Sequence, residues 1–403
     1  MLDREAALAF TGANSVFRRL VTRGAVLELV TFGFYRFWLT TDIRRYLWSN
    51  TEIDGDGLEY TGRGMELFLG FLIALAILVP VFFVYFLTGL AAEREQAFAS
   101  VPLYAFIYLF GQFAIYRARR YRLTRTVWRG VRFWMTGSGW SYAWRAALWT
   151  ALVFVTLGFS YPWQMAALER YKFARTHYGT APGRFDGTGG QLFKQVWWIW
   201  LLGLMPFGTI FGRMLFIGIT GRTGPITDDP WTGLLGGTMV LAYALSLALP
   251  FLHAARKAVE WRWWANNIRF GDASVRCSLK TDALIGIYWS AIGMGIVAAL
   301  GVSAVAGIVA GLLYLASIPM GLLDIASEVS TILASAGIGI WYIATILTLG
   351  VIARIYLLQR IWKRICSACT LHNADALTDI ATAGEAASAI GEGLADGLDF
   401  AGF

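Results

Sequence analysis

Three side chains near the C-terminus have the types and spacing of a metal or redox site. Cys366 and Cys369 form a C-x-x-C pair, and His372 follows three residues later. Thiolate and imidazole at such spacing hold zinc-like ions, but a tetrahedral site takes four ligands. Only His177 and His253 remain as other histidines. Neither is marked as the fourth ligand, so the set is a weak candidate. Reduced cytoplasmic thiols are the competing reading, because three cysteines do not make a disulfide framework. Paired carboxylates, Ser-His-Asp sets and glycine-rich phosphate loops are missing. The expectation is a protein that is not an enzyme and needs no cofactor.

The other chemistry-bearing residues are cationic and aromatic, and they recur. Residues 34–50 put Trp38, Arg45 and Trp48 at helical spacing, beside Arg44 and Tyr46. Arg119, Arg120 and Tyr121 form a second group, and Trp163, Arg170 and Tyr171 a third. Guanidinium groups reach phosphates, while tryptophan and tyrosine suit the headgroup region of a bilayer. Together with Glu28 and Arg145, polar residues inside apolar stretches, they form the candidate ligand set for an anionic lipid or amphiphile. Topological anchoring by arginines and an aromatic belt fits the same residues equally well.

Membrane segments must position these residues. Of 403 residues, 57% are hydrophobic and 15% charged, against about 25% charged in soluble proteins. Mean hydropathy is +0.55. Six apolar runs stand out, at 66–89, 99–116, 191–218, 232–254, 283–318 and 331–353. Several reach the roughly 20 residues needed to cross a hydrocarbon core. The opening MLDREAALAFTG lacks a basic segment followed by an apolar stretch and cleavage site, so no cleaved leader is expected. The net charge of +8 is concentrated beside the apolar runs. Such clusters orient a membrane protein, and nucleic acid is not an expected partner.

Arg117 to Arg132, Arg170 to Arg184, Arg256 to Arg276 and Arg354 to Arg364 bound four basic connectors, while 90–100, 219–230 and 319–330 carry acids. The positive-inside rule puts every basic connector, and both termini, in the cytoplasm. Two weaker apolar segments, about 20–39 and 141–163, then join one basic region to another. Re-entrant or in-plane helices are favoured there over two further spans, and Glu28 and Arg145 fit a partly hydrated path.

Sliding the sequence by 125 positions aligns residues 11–68 with 136–193 without a gap. Thr31, Gly33, Phe34 and Trp38 meet Thr156, Gly158, Phe159 and Trp163; Arg45-Tyr46 meets Arg170-Tyr171; Gly62 and Gly64 meet Gly187 and Gly189. The chain reads as an internal duplication. A first unit spans 10–134, a second 135–277, and a partial third 278–370. An acidic Ala/Gly-rich tail covers 371–403, and its return onto the basic regions is the sharper of two readings.

Thr51–Ile53, then Asp54-Gly55-Asp56-Gly57, then Leu58–Tyr60 read as a β-hairpin. In the second copy, Ala181-Pro182-Gly183 is the expected turn. Four such hairpins are expected as a small cytoplasmic sheet. The fold expectation is thus an all-α polytopic membrane protein with internal duplication. It has six clear transmembrane helices, two re-entrant or additional helices, and small β-hairpins.

The stretch TFGFYRFWLTTDIRRYLWSNTEIDGDGLEYTGRGMELF resembles the signature of the DUF898 family of bacterial inner-membrane proteins. The resemblance rests on Thr31, Gly33, Tyr35, Trp38, Arg44, Arg45, Tyr46, Asn50, Thr51, Gly55, Leu58, Tyr60, Gly62, Glu66 and Leu67. The second copy keeps Thr156, Gly158, Pro162, Trp163, Arg170, Tyr171, Thr176, Phe185, Gly187 and Leu192. It departs at Ser160, Arg175 and Thr180. The resemblance implies a bacterial inner-membrane location and no activity, since the family is one of unknown function.

Three functions follow as expectations. The first is binding or moving an anionic lipid or other amphiphile at the cytoplasmic leaflet, with membrane lipids as partners. The second is a small-solute transporter or channel, for which duplicated units with broken helices are pointers. The third is a non-catalytic scaffold recruiting a protein through its hairpins or tail.

Overall fold

The basic, aromatic segments resolve, except for the last, into one local pattern: a helix, a two-residue turn between short strands, then another helix. The computed structural model describes residues 5–93, 101–221, 230–317, 327–378 and 380–384. The chain opens with strand β1 (Glu5–Phe10), followed by helices α1 (Asn14–Val30) and α2 (Arg36–Ser49). The hairpin β2 (Thr51–Ile53) and β3 (Asp56–Tyr60) leads into α3 (Gly64–Glu93). Helix α4 (Val101–Thr124) returns to β4 (Thr126–Trp128) and β5 (Val131–Met135), and α5 (Gly139–Val155) and α6 (Tyr161–Phe173) follow. Next come β6 (Thr176–Tyr178), β7 (Ala181–Phe185), α7 (Gly189–Thr220) and α8 (Pro230–Asn266). Then follow β8 (Ile268–Phe270), β9 (Ala273–Cys277), α9 (Thr281–Ser317) and α10 (Ser327–Ile352). A π-helical stretch (Ala353–Leu358) passes into α11 (Gln359–Ala368), β10 (Cys369–His372) and a 3-10 turn (Ala374–Leu377).

The ten strands form one closed antiparallel barrel in the order β1-β10-β9-β8-β7-β6-β5-β4-β3-β2. This overturns the all-α expectation. The four hairpins do not lie as separate small pieces. They pair edge to edge, and the first and last strands close the ring, which removes every open edge. Turn chemistry sets the registers. Asp54 and Gly55, and Arg129 and Gly130, all have positive φ, as two-residue type I′ turns require. In the third hairpin the turn is Gly179-Thr180, since Tyr178 pairs with Ala181. The expected turn residues Ala181-Pro182-Gly183 lie instead in β7, with Pro182 opposite His177.

Side chains from every strand fill the lumen. Ala6, Trp128, Val131, Tyr178, Ala273 and Leu371 are its buried centre, with Leu8, Ile53, Leu58, Phe133, Ala181 and Phe270 packed around them. Burying a large apolar side chain of this kind stabilises by roughly 2–3 kcal/mol. The Tyr178 hydroxyl donates to the Trp128 carbonyl at 3.0 Å. Burial pushes the Tyr178 phenol up to about 12. The chain after β10 closes the end that bears the tight turns. Ala374 and Leu377 are buried there, and Ile380 packs on them. Asn373 donates to the Asp272 carbonyl at 3.5 Å. The described part of the acidic tail therefore returns to the barrel through apolar contacts; residues 385–403 lie outside the described residues.

Every helix leaves from the opposite rim, so all the hairpins and both terminal strands share one side of the helical layer. Among the described residues, four helical stretches are long and apolar enough to cross a membrane: Gly64–Leu87, Gly189–Ile219, Thr281–Leu313 and Ala334–Ala368. That is four, not the six expected. The C-terminal part of α4 carries Arg117, Arg119, Arg120 and Arg122, and that of α8 carries Arg256, Lys257, Glu260 and Arg262. Ile296, Val297, Leu300, Val305 and Ile308 of α9 are each more than half exposed. A surface this apolar is at home in hydrocarbon rather than water, as fits a membrane protein. The acidic connectors at 90–100, 219–230 and 319–330 lie largely outside the described residues.

Candidate functional site

Segments 20–39 and 141–163 are each broken into two antiparallel helices. α1 and α2 both end at barrel strands, and so do α5 and α6. The turn between them is written in Thr-x-Gly. The Thr31 hydroxyl donates to the Leu27 carbonyl at 2.7 Å, and the Tyr35 N–H donates back to Thr31 Oγ1 at 2.9 Å. Phe32 and Gly33 both have positive φ, and the Gly33 N–H reaches the Glu28 carbonyl at 2.7 Å. This satisfies carbonyls that a helix end leaves open. At the second turn Thr156 donates to Leu152 at 2.8 Å, Leu157 and Gly158 have positive φ, and Gly158 N–H reaches Val153 at 2.7 Å. The tips are apolar: Phe32 is 94% and Leu157 74% exposed.

Many of the expected ligand residues hold the bases of these hairpins. Tyr46 donates to the Ala13 carbonyl at 2.7 Å and Tyr171 to that of Ser138 at 3.3 Å. Arg45 donates to the Gly62 carbonyl at 3.2 Å and Arg170 to that of Gly187 at 3.1 Å. Trp38 and Trp163 pack on glycines. A Cβ added at Gly64 would lie 2.8 Å from the Trp38 Cα, and one at Gly189 would lie 2.6 Å from the Trp163 Cα. Arg44 is buried and reaches the Tyr60 hydroxyl at 3.4 Å. Tyr121 is fully buried and donates to Glu66, which also takes Arg125 at 2.9 Å. Glu28 pairs with Arg354 at 3.1 Å, where the helix becomes π-helical.

Four expected residues do come together. Around the base of α5 and α6, Arg145 and Arg175 lie 4.7 and 3.8 Å from the centre of the Tyr171 ring. Arg119 lies 3.7 Å from Glu169, which also accepts from Lys172 and, at 3.1 Å, from Trp264. Burial alone would raise the Glu169 carboxyl, yet Lys172 and Arg119 outweigh it and hold it below its ordinary range. The Nε atoms of Arg119 and Arg120 are buried without a hydrogen bond. Arg120, Arg145 and Arg175 have no ion pair among the described residues. This base is therefore rich in positive charge.

Near the tip of the same hairpin lies a cavity of about 360 Å³ between the 158–162 turn, α7 and α8. Phe159, Phe193, Trp197, Trp200 and Leu249 form its apolar wall, while Tyr161, His253 and Arg256 bring the polar groups. Arg256 is paired with the buried Glu260 and reaches the Tyr161 hydroxyl at 3.4 Å. Lys257 adds a second cation at 3.4 Å from Glu260. The local charge is one positive in excess, over an apolar chamber. None of these residues was singled out from sequence as a ligand. Tyr161 and Arg256 stand 95 positions apart, on α6 and α8, and Arg256 reads there only as a topological charge.

The Cys366, Cys369 and His372 set does not converge. Cys369 lies opposite Cys277 in the β9–β10 ladder. His372 faces Glu5 at 3.2 Å. Among the described residues no three His, Cys, Asp or Glu side chains are placed to hold a metal ion. A family of bacterial proteins of unknown function, DUF898, matches the chain over residues 5–397. The chain belongs to the DUF898 family. No curated protein and no solved structure matches this DUF898 chain. The family match covers the barrel, both hairpins and the cavity, and assigns no chemistry to them.

Proposed function

We propose that this DUF898 protein sits in the bacterial inner membrane as a multi-pass chain, with barrel and both termini in the cytoplasm. There it binds an amphiphile that carries an anionic head. The two helical hairpins are read as copies of one element, since residues 125 apart make the same bonds. Each dips into the cytoplasmic leaflet tip first, which supplies hydrocarbon around Phe32 and Leu157. The observation that carries the binding reading is the cavity at the second tip. It couples an aromatic, apolar wall to Arg256 and Tyr161, the pattern that holds a chain and orients a charged end.

Gly203 lines the cavity, and a Cβ there would meet nothing within 4 Å. Gly203→Leu therefore adds side-chain bulk at the chamber lining from a position with room for its first carbon. Lipid analysis of protein purified in mild detergent should show an anionic amphiphile enriched over bulk membrane. Both Gly203→Leu and Arg256→Gln should abolish that enrichment. Equal lipid content in wild type and both variants would sink the reading.

A second reading, passage of a small solute, has one observation in its favour. Inside the α5–α6 hairpin, Thr150 accepts from Gln164 at 2.7 Å and is bonded to the Tyr108 hydroxyl at 2.6 Å. Such a polar chain is costly in lipid unless it serves structure or a hydrated route. Thiol labelling of Thr150→Cys by a charged reagent from the aqueous phase is expected if the route exists; complete protection argues against it.

A further inference from the structure

All three cysteines of the chain gather at the helix-bearing rim of the barrel, although Cys277 is distant from the other two in sequence. Cys277 ends β9, Cys369 begins β10, and the two are register partners. The ladder pattern decides how closely they face each other. Ser278 N–H donates to the Ala368 carbonyl at 2.8 Å, which makes 278 and 368 a hydrogen-bonded pair. Bonded and non-bonded pairs alternate in an antiparallel ladder, so 277 and 369 form a non-bonded pair. In that position Cα atoms lie about 4.5 Å apart with their side chains closest. This falls inside the roughly 4.4–6.8 Å range that a disulfide spans. Both thiols are free and buried. Cys366 is directed elsewhere, against the Thr51 hydroxyl.

We propose that Cys277 and Cys369 are a dithiol modification site, oxidised to a cross-strand disulfide by a small-molecule disulfide of the glutathione class. The hydrogen bond from Cys369, with the Leu279 backbone N–H and the Arg262 charge on the same side, favours the Cys277 thiolate and holds its thiol below the ordinary value. Cys277 is therefore the attacking group. Its thiolate attacks one sulfur of oxidised glutathione and expels a glutathione thiolate. Cys369, after losing its own proton, attacks the Cys277 sulfur of the mixed disulfide and expels the second glutathione thiolate. Two protein thiols are oxidised, one glutathione disulfide is reduced, and the two cysteine protons end on the two departing thiolates. The reagent gains access on local opening of β10, a strand of only four residues held between β1 and β9. The product closes a covalent ring from 277 to 369 that contains α9 and α10. It ties the feet of the last membrane hairpin to the barrel seam.

The test treats the full-length protein, in detergent or nanodiscs, with oxidised glutathione, then alkylates the remaining thiols and maps peptides by mass. The expected result is a fall from three alkylated cysteines to one, a Cys277–Cys369 cross-linked peptide and a free Cys366. Slower amide exchange over residues 369–372 should accompany it. A reporter with Glu59→Cys in a background lacking the native cysteines establishes that the reagent is active, since Glu59 is exposed on the barrel. Three free native thiols while the reporter is fully modified would overturn the proposal. So would a Cys366–Cys369 bond, or stable glutathione adducts without a cross-link.

Discussion

The two helical hairpins share a turn and a base, yet differ between them. In α1–α2 the helices meet closely at Gly24, where a Cβ would lie 2.2 Å from Leu39 Cδ1. The outer face of this hairpin packs on Ile355 and Val351, and the Glu28–Arg354 pair clamps it. In α5–α6 the residue aligned with Gly24 is Trp149, and the one aligned with Glu28 is Val153. Hydrogen bonds among Tyr108, Thr150 and Gln164 hold that hairpin inside, and a chamber lies beside its turn. The same bend thus serves once as a packed strut and once as a cavity wall. Interior side chains, not the turn, decide which.

The largest test of this contrast removes the clamp. Glu28→Ala leaves Arg354 without its carboxylate, and breaking a largely buried pair costs about 3 kcal/mol. A lowered unfolding midpoint in detergent should report it, and Glu28→Gln combined with Arg354→Gln should recover part of the loss. An unchanged midpoint for Glu28→Ala would mean the strut does not depend on the clamp.

Alanine at the two turn glycines separates backbone from surroundings. Gly33 has φ +89° with nothing near its missing Cβ, so Gly33→Ala carries only the left-handed strain, about 1 kcal/mol. Gly158 has φ +88°, but its Cβ would sit 2.9 Å from Trp200 Nε1 in the cavity wall. Gly158→Ala is expected to cost about 2 kcal/mol, from strain and overpacking together, and to reduce amphiphile retention. Equal unfolding midpoints for the two variants would show that the second turn does not press on the cavity.

The smallest effect belongs to the polar interior. Gln164→Leu removes one hydrogen bond and leaves Thr150 with Tyr108, a loss of about 1 kcal/mol. The matched change Leu39→Gln in the first hairpin should be worse, because it places an amide where Gly24 leaves no polar partner. Parallel denaturation curves rank the two; the reverse order would break the comparison.

Much of this was legible in the chain. Thr31 and Gly33 with Thr156 and Gly158 mark equivalent positions of two segments expected to re-enter, but their spacing alone places no turn there. Asp54-Gly55-Asp56-Gly57 located a hairpin, because Asp-Gly accepts the positive φ of a tight turn, although Asp56 and Gly57 belong to β3. The barrel was not legible, because its closure depends on Glu5–Phe10 and Cys369–His372. Those strands are short, sit at opposite ends of the chain, and carry no turn signal between them. Ala181-Pro182-Gly183 misled because proline and glycine mark turns more often than strands, whereas here the bend belongs to Gly179. The cavity was hidden for a related reason. Its polar end is assembled from α6 and α8, and no local spacing links Tyr161 to Arg256.

Closure by the two chain ends also orders events during synthesis. The long apolar helices are all made before β10, and until β10 exists β1 and β9 each leave a row of backbone groups unpaired. A chain that stops before residue 369 has every long apolar helix but a ragged sheet. Only the closing strand removes those edges, so the last-made strand completes a ring that the first-made one begins.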